Sequence, residues 1–345
     1  MAEIHPAISF VIPVFNEEDN LMELVRRIDV TLSQLHDTAE VVFVDDGSTD
    51  TSAEMIAVLH AKDPRIHLVQ LSRNFGHQIA VTAGLDFSRG DAVIVMDADL
   101  QDPPELALEM VERWRDGYDI VYAVRDKRDH ESALMSWGRR MFYRLLNRIG
   151  DLEIPVDTGD FRLISRRAVN VIKALPEYNR YVRGLCAWVG FRQGEVHYER
   201  PARHAGESKY PLLKLVKLGL DGVTGFSRAP LQFVLYLGLS MSTLALLCGI
   251  GALVLRLVKP GVIEGWASTV IILTFIGGVQ LFALGIIADY IGRIHEEVKM
   301  RPIYVVGKVL GIDEKDIPNT RMVYSPEQKE MESTASPDSA TKVQG

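Results

Sequence analysis

Two hydrophobic periodicities alternate along the first 125 residues. Ile8-Ser-Phe-Val-Ile-Pro13 is a short apolar run rich in β-branched residues and closed by proline, which predicts a strand. Leu21, Leu24, Ile28, Leu32 and Leu35 then recur at helical spacing. Val41–Val44 predicts a second strand, Asp50–Leu59 a helix, Ile66–Leu71 a third strand and Gln78–Phe87 a helix. Ala92–Met96 follows as a fourth strand. Pro104–Trp114 reads as a helix with proline in its first turn, and Ile120–Ala123 as a further strand. Strands that are apolar throughout, separated by helices, predict an α/β fold with a mostly parallel sheet covered on both faces.

The pattern changes near residue 229. Ala229–Leu255 and Gly265–Ala288 carry no charged residue. The shorter stretch gives about 36 Å of helix, against a hydrocarbon core of about 30 Å. Pro260 and Gly261 lie in the link between them, so a helical hairpin with spans near 231–256 and 266–288 is expected. Lys209, Lys214, Lys217 and Arg228 precede the first span, and Arg293, Lys299, Arg301 and Lys308 follow the second. The link holds only Arg256 and Lys259, which places both termini and the N-terminal domain on the cytoplasmic side. The expected organisation is a cytoplasmic domain over 1–210, an interfacial amphipathic helix over 211–228 and the hairpin over 229–290. A surface helix with a short strand at Ile303–Val306 occupies 291–312, and a polar, disordered tail 313–345.

Composition narrows the function. The formal net charge of −8 argues against bulk electrostatic binding of nucleic acid. Two cysteines, Cys186 and Cys248, rule out a disulfide scaffold or a cysteine-rich zinc module. Neither a G-x-G-x-x-G nor a P-loop motif is present.

In a parallel sheet, ligands bind beyond the carboxyl ends of the strands. The four ends here are Pro13-Val-Phe-Asn16-Glu17-Glu18, Asp45-Asp46-Gly47-Ser48-Thr49-Asp50, Arg73-Asn74-Phe75-Gly76 and Asp97-Ala98-Asp99-Leu100-Gln101-Asp102. Such an acidic edge repels phosphate unless a divalent cation intervenes. Oxygen ligands such as Asp99 and Gln101 suit Mg²⁺ or Mn²⁺. A nucleotide carrying a diphosphate is the expected substrate, with Asp46 and Asp97 placed to accept hydrogen bonds from its base or ribose. Some of these residues have structural readings too: Asp50 as a helix N-cap, Glu17 and Glu18 as first-turn acids, Gly47 and Gly76 as turn residues.

V-I-P-V-F-N-E-E, V-D-D-G-S-T-D, L-S-R-N-F-G, D-A-D-L-Q-D-P-P-E and G-D-F-R-L together resemble glycosyltransferase family 2 with its GT-A, Rossmann-like fold. The chain is most similar to the polyprenyl-phosphate glycosyltransferases, a group that includes bactoprenol glucosyltransferases and dolichyl-phosphate mannose synthases. The resemblance runs from about Ile8 to Leu310. It implies an integral protein of the bacterial inner membrane that transfers a sugar, with inversion, from a nucleotide diphosphate to a polyprenyl phosphate. It further implies that Pro13, Asn16, Glu17, Asp46 and Asp97 line the nucleotide pocket, and that Asp97, Asp99 and Gln101 hold the metal. Asp160 matches the catalytic carboxylate; simple pairing with Arg162 is its structural reading. Arg125, Arg200, Arg203, Ser208 and Lys209 match positions near the phosphates and acceptor, and His204–Tyr210 a mobile loop. UDP-glucose is the first-choice donor, with GDP-mannose or a UDP-aminoarabinose-type sugar as alternatives, and the family implies homo-oligomers.

Two competing classes fare worse. A processive polysaccharide synthase carries Q-x-x-R-W, whereas Met110 stands at the glutamine position before Arg113-Trp114. A transporter or flippase subunit needs a polar path, and two spans with only Gln280 as a polar side chain near mid-membrane offer none for a sugar head group.

Overall fold

The computed structural model describes residues 5–125, 158–178, 180–198, 229–258, 265–313, 317 and 322–324. The chain divides into two compact units. One comprises Met1–Glu131, Ile154–Glu207 and Arg301–Gly345, the other Ser132–Glu153 and Ser208–Met300.

The first unit starts with β1 (Ile8–Val14), α1 (Glu18–Leu35), β2 (Ala39–Asp45), α2 (Ser52–Lys62), β3 (Ile66–Leu71), α3 (His77–Phe87) and β4 (Ala92–Val95). A 3-10 turn at Pro104–Leu106 leads into α4 (Ala107–Arg115), so the helix expected from Pro104 begins three residues later. β5 (Ile120–Arg125), β6 (Thr158–Ser165), α5 (Arg166–Ala174), α6 (Val182–Trp188) and β7 (Gln193–Tyr198) follow. The strand order is β7-β5-β6-β4-β1-β2-β3, continued by β8 (Tyr304–Leu310) and β9 (Met322–Tyr324).

β4, β1, β2 and β3 are mutually parallel, as their apolar runs predict. β1 is buried along its whole length. The five leucines and isoleucines singled out on α1 are all buried against the sheet. Tight packing on the other face needs Gly84 of α3, where a Cβ would lie 2.1 Å from Val11 Cγ1.

The sheet departs from the sequence expectation in three places. β6, which carries Asp160 and Arg162, runs antiparallel between β4 and β5. β8 adds antiparallel to the free edge of β3, so the sheet does not end at residue 210 but takes strands from beyond the two apolar helices. β9 lies inside the tail expected to be disordered; its short apolar run Met322-Val-Tyr324 pairs parallel with β8. The expected N-cap Asp50 is displaced by one residue to Thr51. Asp50 instead accepts from the Ser52 N–H at 3.0 Å and the Glu18 N–H at 3.2 Å, bridging the starts of two helices.

The second unit contains α7 (Ala229–Val258) and α8 (Trp266–Val298). Leu231–Gly251 and Phe275–Val298 are long and apolar enough to cross a membrane, and none of either window is buried in protein. Leu235 is 66% and Leu273 72% exposed, as apolar side chains facing a hydrocarbon phase would be. The surface helix expected from Ile291 is the end of α8, which runs unbroken to Val298. The expected interfacial helix over 211–228 lies outside the described residues.

Candidate active site

The topology switches direction between β1 and β4, and the crevice beyond their carboxyl ends is the natural ligand site of such a sheet. Pro13 helps to open it. It offers no N–H, and pairing with β4 ends two residues earlier, at Val11. Pro13 is itself buried in β1.

The loops after β1 and β2 are laced together. Asn16 adopts a left-handed φ of 56°, which asparagine tolerates. Its N–H donates to Ser48 Oγ at 3.0 Å, and its Oδ1 accepts from the Thr49 N–H at 2.8 Å. Glu17 occupies the N-cap position of α1, and its carboxylate accepts from Asn20 Nδ2 at 2.6 Å rather than from a backbone N–H of the helix. Glu18 accepts from the Thr51 N–H and hydroxyl at 3.0 and 2.6 Å. Gly47, at φ 72°, passes so close to the next loop that a Cβ would lie 2.6 Å from the Arg73 carbonyl carbon.

Asp46 is 3% exposed, and its two oxygens accept from the Phe75 and Gly76 N–H groups at 2.7 and 2.9 Å. It therefore braces the loop after β3. Burial pushes its carboxyl up, and the two backbone donors oppose this.

That loop delivers His77 as the first residue of α3. His77 Nε2 lies 3.1 Å from Asp160 Oδ2 and 3.5 Å from Asp97 Oδ1. His77, Asp97 and Asp160 each offer one ligand atom, all within 4.8 Å of one another. Asp97 Oδ1 is enclosed yet has no hydrogen-bond partner. The Asp97 carboxyl is pushed up to about 6, first by loss of water and then by Asp102, Asp160 and Asp99, against the pull of His77. Loss of water lowers the His77 imidazole, but Asp160 and Asp97 outweigh it and raise it. An acid cluster short of positive charge, with an unpartnered carboxylate oxygen, fits a divalent cation.

Of the expected Asp97, Asp99 and Gln101, this group contains Asp97. Asp99 turns back to accept from the Gln101 N–H at 3.1 Å, and Gln101 is 6% exposed. Leu100 between them is held at φ 59°, a strained conformation for leucine that sets the bend of this loop. Protons compete with a cation for Asp97 and His77. Mn²⁺ affinity of the full chain, measured by titration calorimetry, is expected to fall as the pH drops through about 6. An affinity that stays flat through that pH would contradict the assignment.

Asp160 is 8% exposed on β6. Arg183 of α6 grips it with Nε at 2.7 Å and Nη2 at 2.9 Å, and Gln78 Nε2 donates at 3.3 Å. Gln78 Oε1 also accepts from the Val182 N–H at 3.0 Å, which ties α3 to α6. Arg162 is buried and bonds mainly to the backbone carbonyls of Gly159 and Asp160, at 2.8 and 3.2 Å. Its contact with the Asp160 carboxylate is longer, 3.8 Å. The principal partner of Asp160 is thus Arg183, not Arg162. Burial opposes ionisation of Asp160, but hydrogen bonds from His77 and Arg183 and the charges of Arg183 and Arg162 hold its carboxyl well below the usual range.

His77, Gln78 and Arg183 were missed as site residues. His77 follows directly on the L-S-R-N-F-G motif, at a strand end beside the switch point, and that position was the available signal. Arg125 ends β5 in register with Tyr198. Tyr198 in turn donates to Asp102 at 2.6 Å. Arg200, Arg203, Ser208, Lys209 and the loop 204–210 lie outside the described residues.

A profile of glycosyl transferase family 2 matches residues 9–172. The "Uncharacterized glycosyltransferase YkcC" of Bacillus subtilis is 48% identical over 90% of this chain and 96% of its own. The SfII prophage-derived bactoprenol glucosyl transferase of Shigella flexneri is 40% identical over 87% of this chain and 97% of its own. Among solved structures, glucosyl-3-phosphoglycerate synthase from Mycobacterium tuberculosis aligns over 63% of this chain and 78% of that one, at 20% identity and a TM-score of 0.42.

Proposed function

Since the chain belongs to glycosyl transferase family 2 and carries its GT-A fold, we propose that it transfers glucose from UDP-glucose to a polyprenyl phosphate at the membrane, with inversion. The observation that carries this reading is the cluster of Asp97, Asp160 and His77 at the switch point of the sheet. The near full-length likeness to a bactoprenol glucosyl transferase supports the choice of sugar and lipid, and the two apolar helices support the membrane setting.

Mg²⁺ or Mn²⁺, held by Asp97, Asp160 and His77 and with Asp99 two residues along the loop, would neutralise charge on the leaving nucleoside diphosphate. The acceptor oxygen belongs to a phosphate monoester with a second pKa of about 6, so it is largely ionised at neutral pH. No strong base is required, and Asp160 does not resemble one. Held ionised by Arg183, it stabilises positive charge developing on the sugar and keeps Arg183 and His77 in place. Arg200, Arg203 and Lys209 would receive the lipid phosphate, for which arginine offers bidentate geometry. The domain before the hairpin and both termini would face the cytoplasm.

Incubating the purified chain with radiolabelled UDP-glucose, Mn²⁺ and undecaprenyl phosphate tests the reading. Label is expected in the organic-extractable lipid. Label that stays in the aqueous phase with this donor, but moves when GDP-mannose is supplied, would overturn the choice of sugar. Label that moves with no nucleotide sugar would overturn the reaction class.

A further inference from the structure

The catalytic unit includes a stretch of chain to which none of its motifs gives a part. Beyond α8, Ile303 is 4% exposed and Tyr304 and Val306 are fully buried. β8 pairs with β3 from Leu68↔Leu310 to Leu71↔Val306, with a register shift between Gln70 and Leu71. Just past that shift, the Ser72 N–H donates to the Val305 carbonyl at 2.9 Å. Ser72 opens the loop whose Phe75 and Gly76 N–H groups bind Asp46, and the loop runs straight into His77. At the other end of the 11-residue α3, Asp86 Oδ2 accepts from the Tyr304 hydroxyl at 2.8 Å. Lys173 of α5 donates to the Asp86 carbonyl, also at 2.8 Å. One strand therefore grips the β3–loop–α3 segment at both ends.

We propose that Ile303–Leu310 is a strap that positions the donor site, with Tyr304 as its positioning residue. It fixes the loop 72–76 and the axis of α3, and so sets where His77 and Gln78 meet Asp160. The hydroxyl–carboxylate bond suits this task. It lies beneath a buried ring, where leaving either partner unmade is costly. Burial, and then Asp86, push the Tyr304 phenol well up, so it remains a donor. The donor site is thereby assembled from chain on both sides of the two apolar helices. A chain ending before Arg301 would keep every sequence motif of the site and lack the element that holds it.

Hydrogen exchange on the full-length chain in nanodiscs tests the strap, with Tyr304→Phe and Asp86→Asn. The phenylalanine keeps the ring and removes the bond; the asparagine keeps an acceptor oxygen. Tyr304→Phe is expected to speed exchange of the Phe75 and Gly76 amides by about tenfold. It should also raise the donor KM several-fold and leave the acceptor KM unchanged, whereas Asp86→Asn should stay near wild type. Faster exchange confined to 301–310, with 72–78 unchanged, would reduce the strap to a stabilising strand and overturn the proposal. Donor and acceptor KM rising together would do the same. The KM comparison rests on the proposed function. The exchange comparison needs neither donor nor metal, so the two readings fail separately.

Discussion

Asp160→Asn is expected to lower kcat by about 10²–10³, the range found when a group that stabilises transition-state charge is removed. The donor KM should rise as well, because Asp160 is one of the three residues that would hold the cation. The substitution keeps the shape of the side chain and deletes its charge, which leaves Arg183, Arg162 and His77 grouped around a neutral amide. Some loss of stability follows as well, because a nearly buried partner of two arginines is removed. Binding of UDP at saturating Mn²⁺ separates the two effects: a folded variant still binds both, though more weakly, and turns over slowly. Arg183→Ala should reproduce much of the defect, since it releases the bidentate grip that keeps Asp160 ionised and aimed. Near wild-type turnover in Asp160→Asn would remove it from the chemistry.

The second large effect concerns the cation. EDTA is expected to abolish transfer, and Mn²⁺ or Mg²⁺ to restore it. Asp97→Ala should lose activity that added metal does not recover. Asp97 supplies the one enclosed carboxylate oxygen in the cluster that lacks a hydrogen-bond partner. Its carboxyl is pushed up to about 6, first by loss of water and then by the neighbouring acids Asp102, Asp160 and Asp99. Without a cation, the raised imidazole of His77 is the group that compensates between Asp97 and Asp160. Calorimetry on the metal-free chain reads this directly, as Mn²⁺ binding in wild type that is lost in Asp97→Ala.

Much of the fold was legible because its signals are local. The β1–α1–β2–α2–β3–α3–β4 succession follows from apolar runs alternating with helical spacing, and the buried face of α1 matches the leucine spacing residue by residue. The parts that were not legible depend on partners far along the chain. β6 carries Asp160 and Arg162, charges that no strand pattern predicts. They are tolerated because Arg183 and the Gly159 and Asp160 carbonyls satisfy them after folding. β8 and β9 follow a pair of apolar helices that looked like the end of the catalytic domain, and only the free edge of β3 reveals their place.

The site divides in the same way. Asp97 and Asp160 stood out as acids in motifs. Their companions His77 and Arg183 stand at positions 77 and 183, and only the folded sheet and helices α3 and α6 bring them together. Asp46 was recognised, but its bracing of the next loop was not legible, because its two backbone donors come from the loop after the next strand.

Transfer of label from UDP-[¹⁴C]glucose to undecaprenyl phosphate, measured side by side for wild type with Mn²⁺, wild type with EDTA and Asp160→Asn with Mn²⁺, tests the central claim most directly. Label in the lipid fraction is predicted in the first arm alone, with no more than a trace in the other two. Equal lipid labelling in all three would contradict the account.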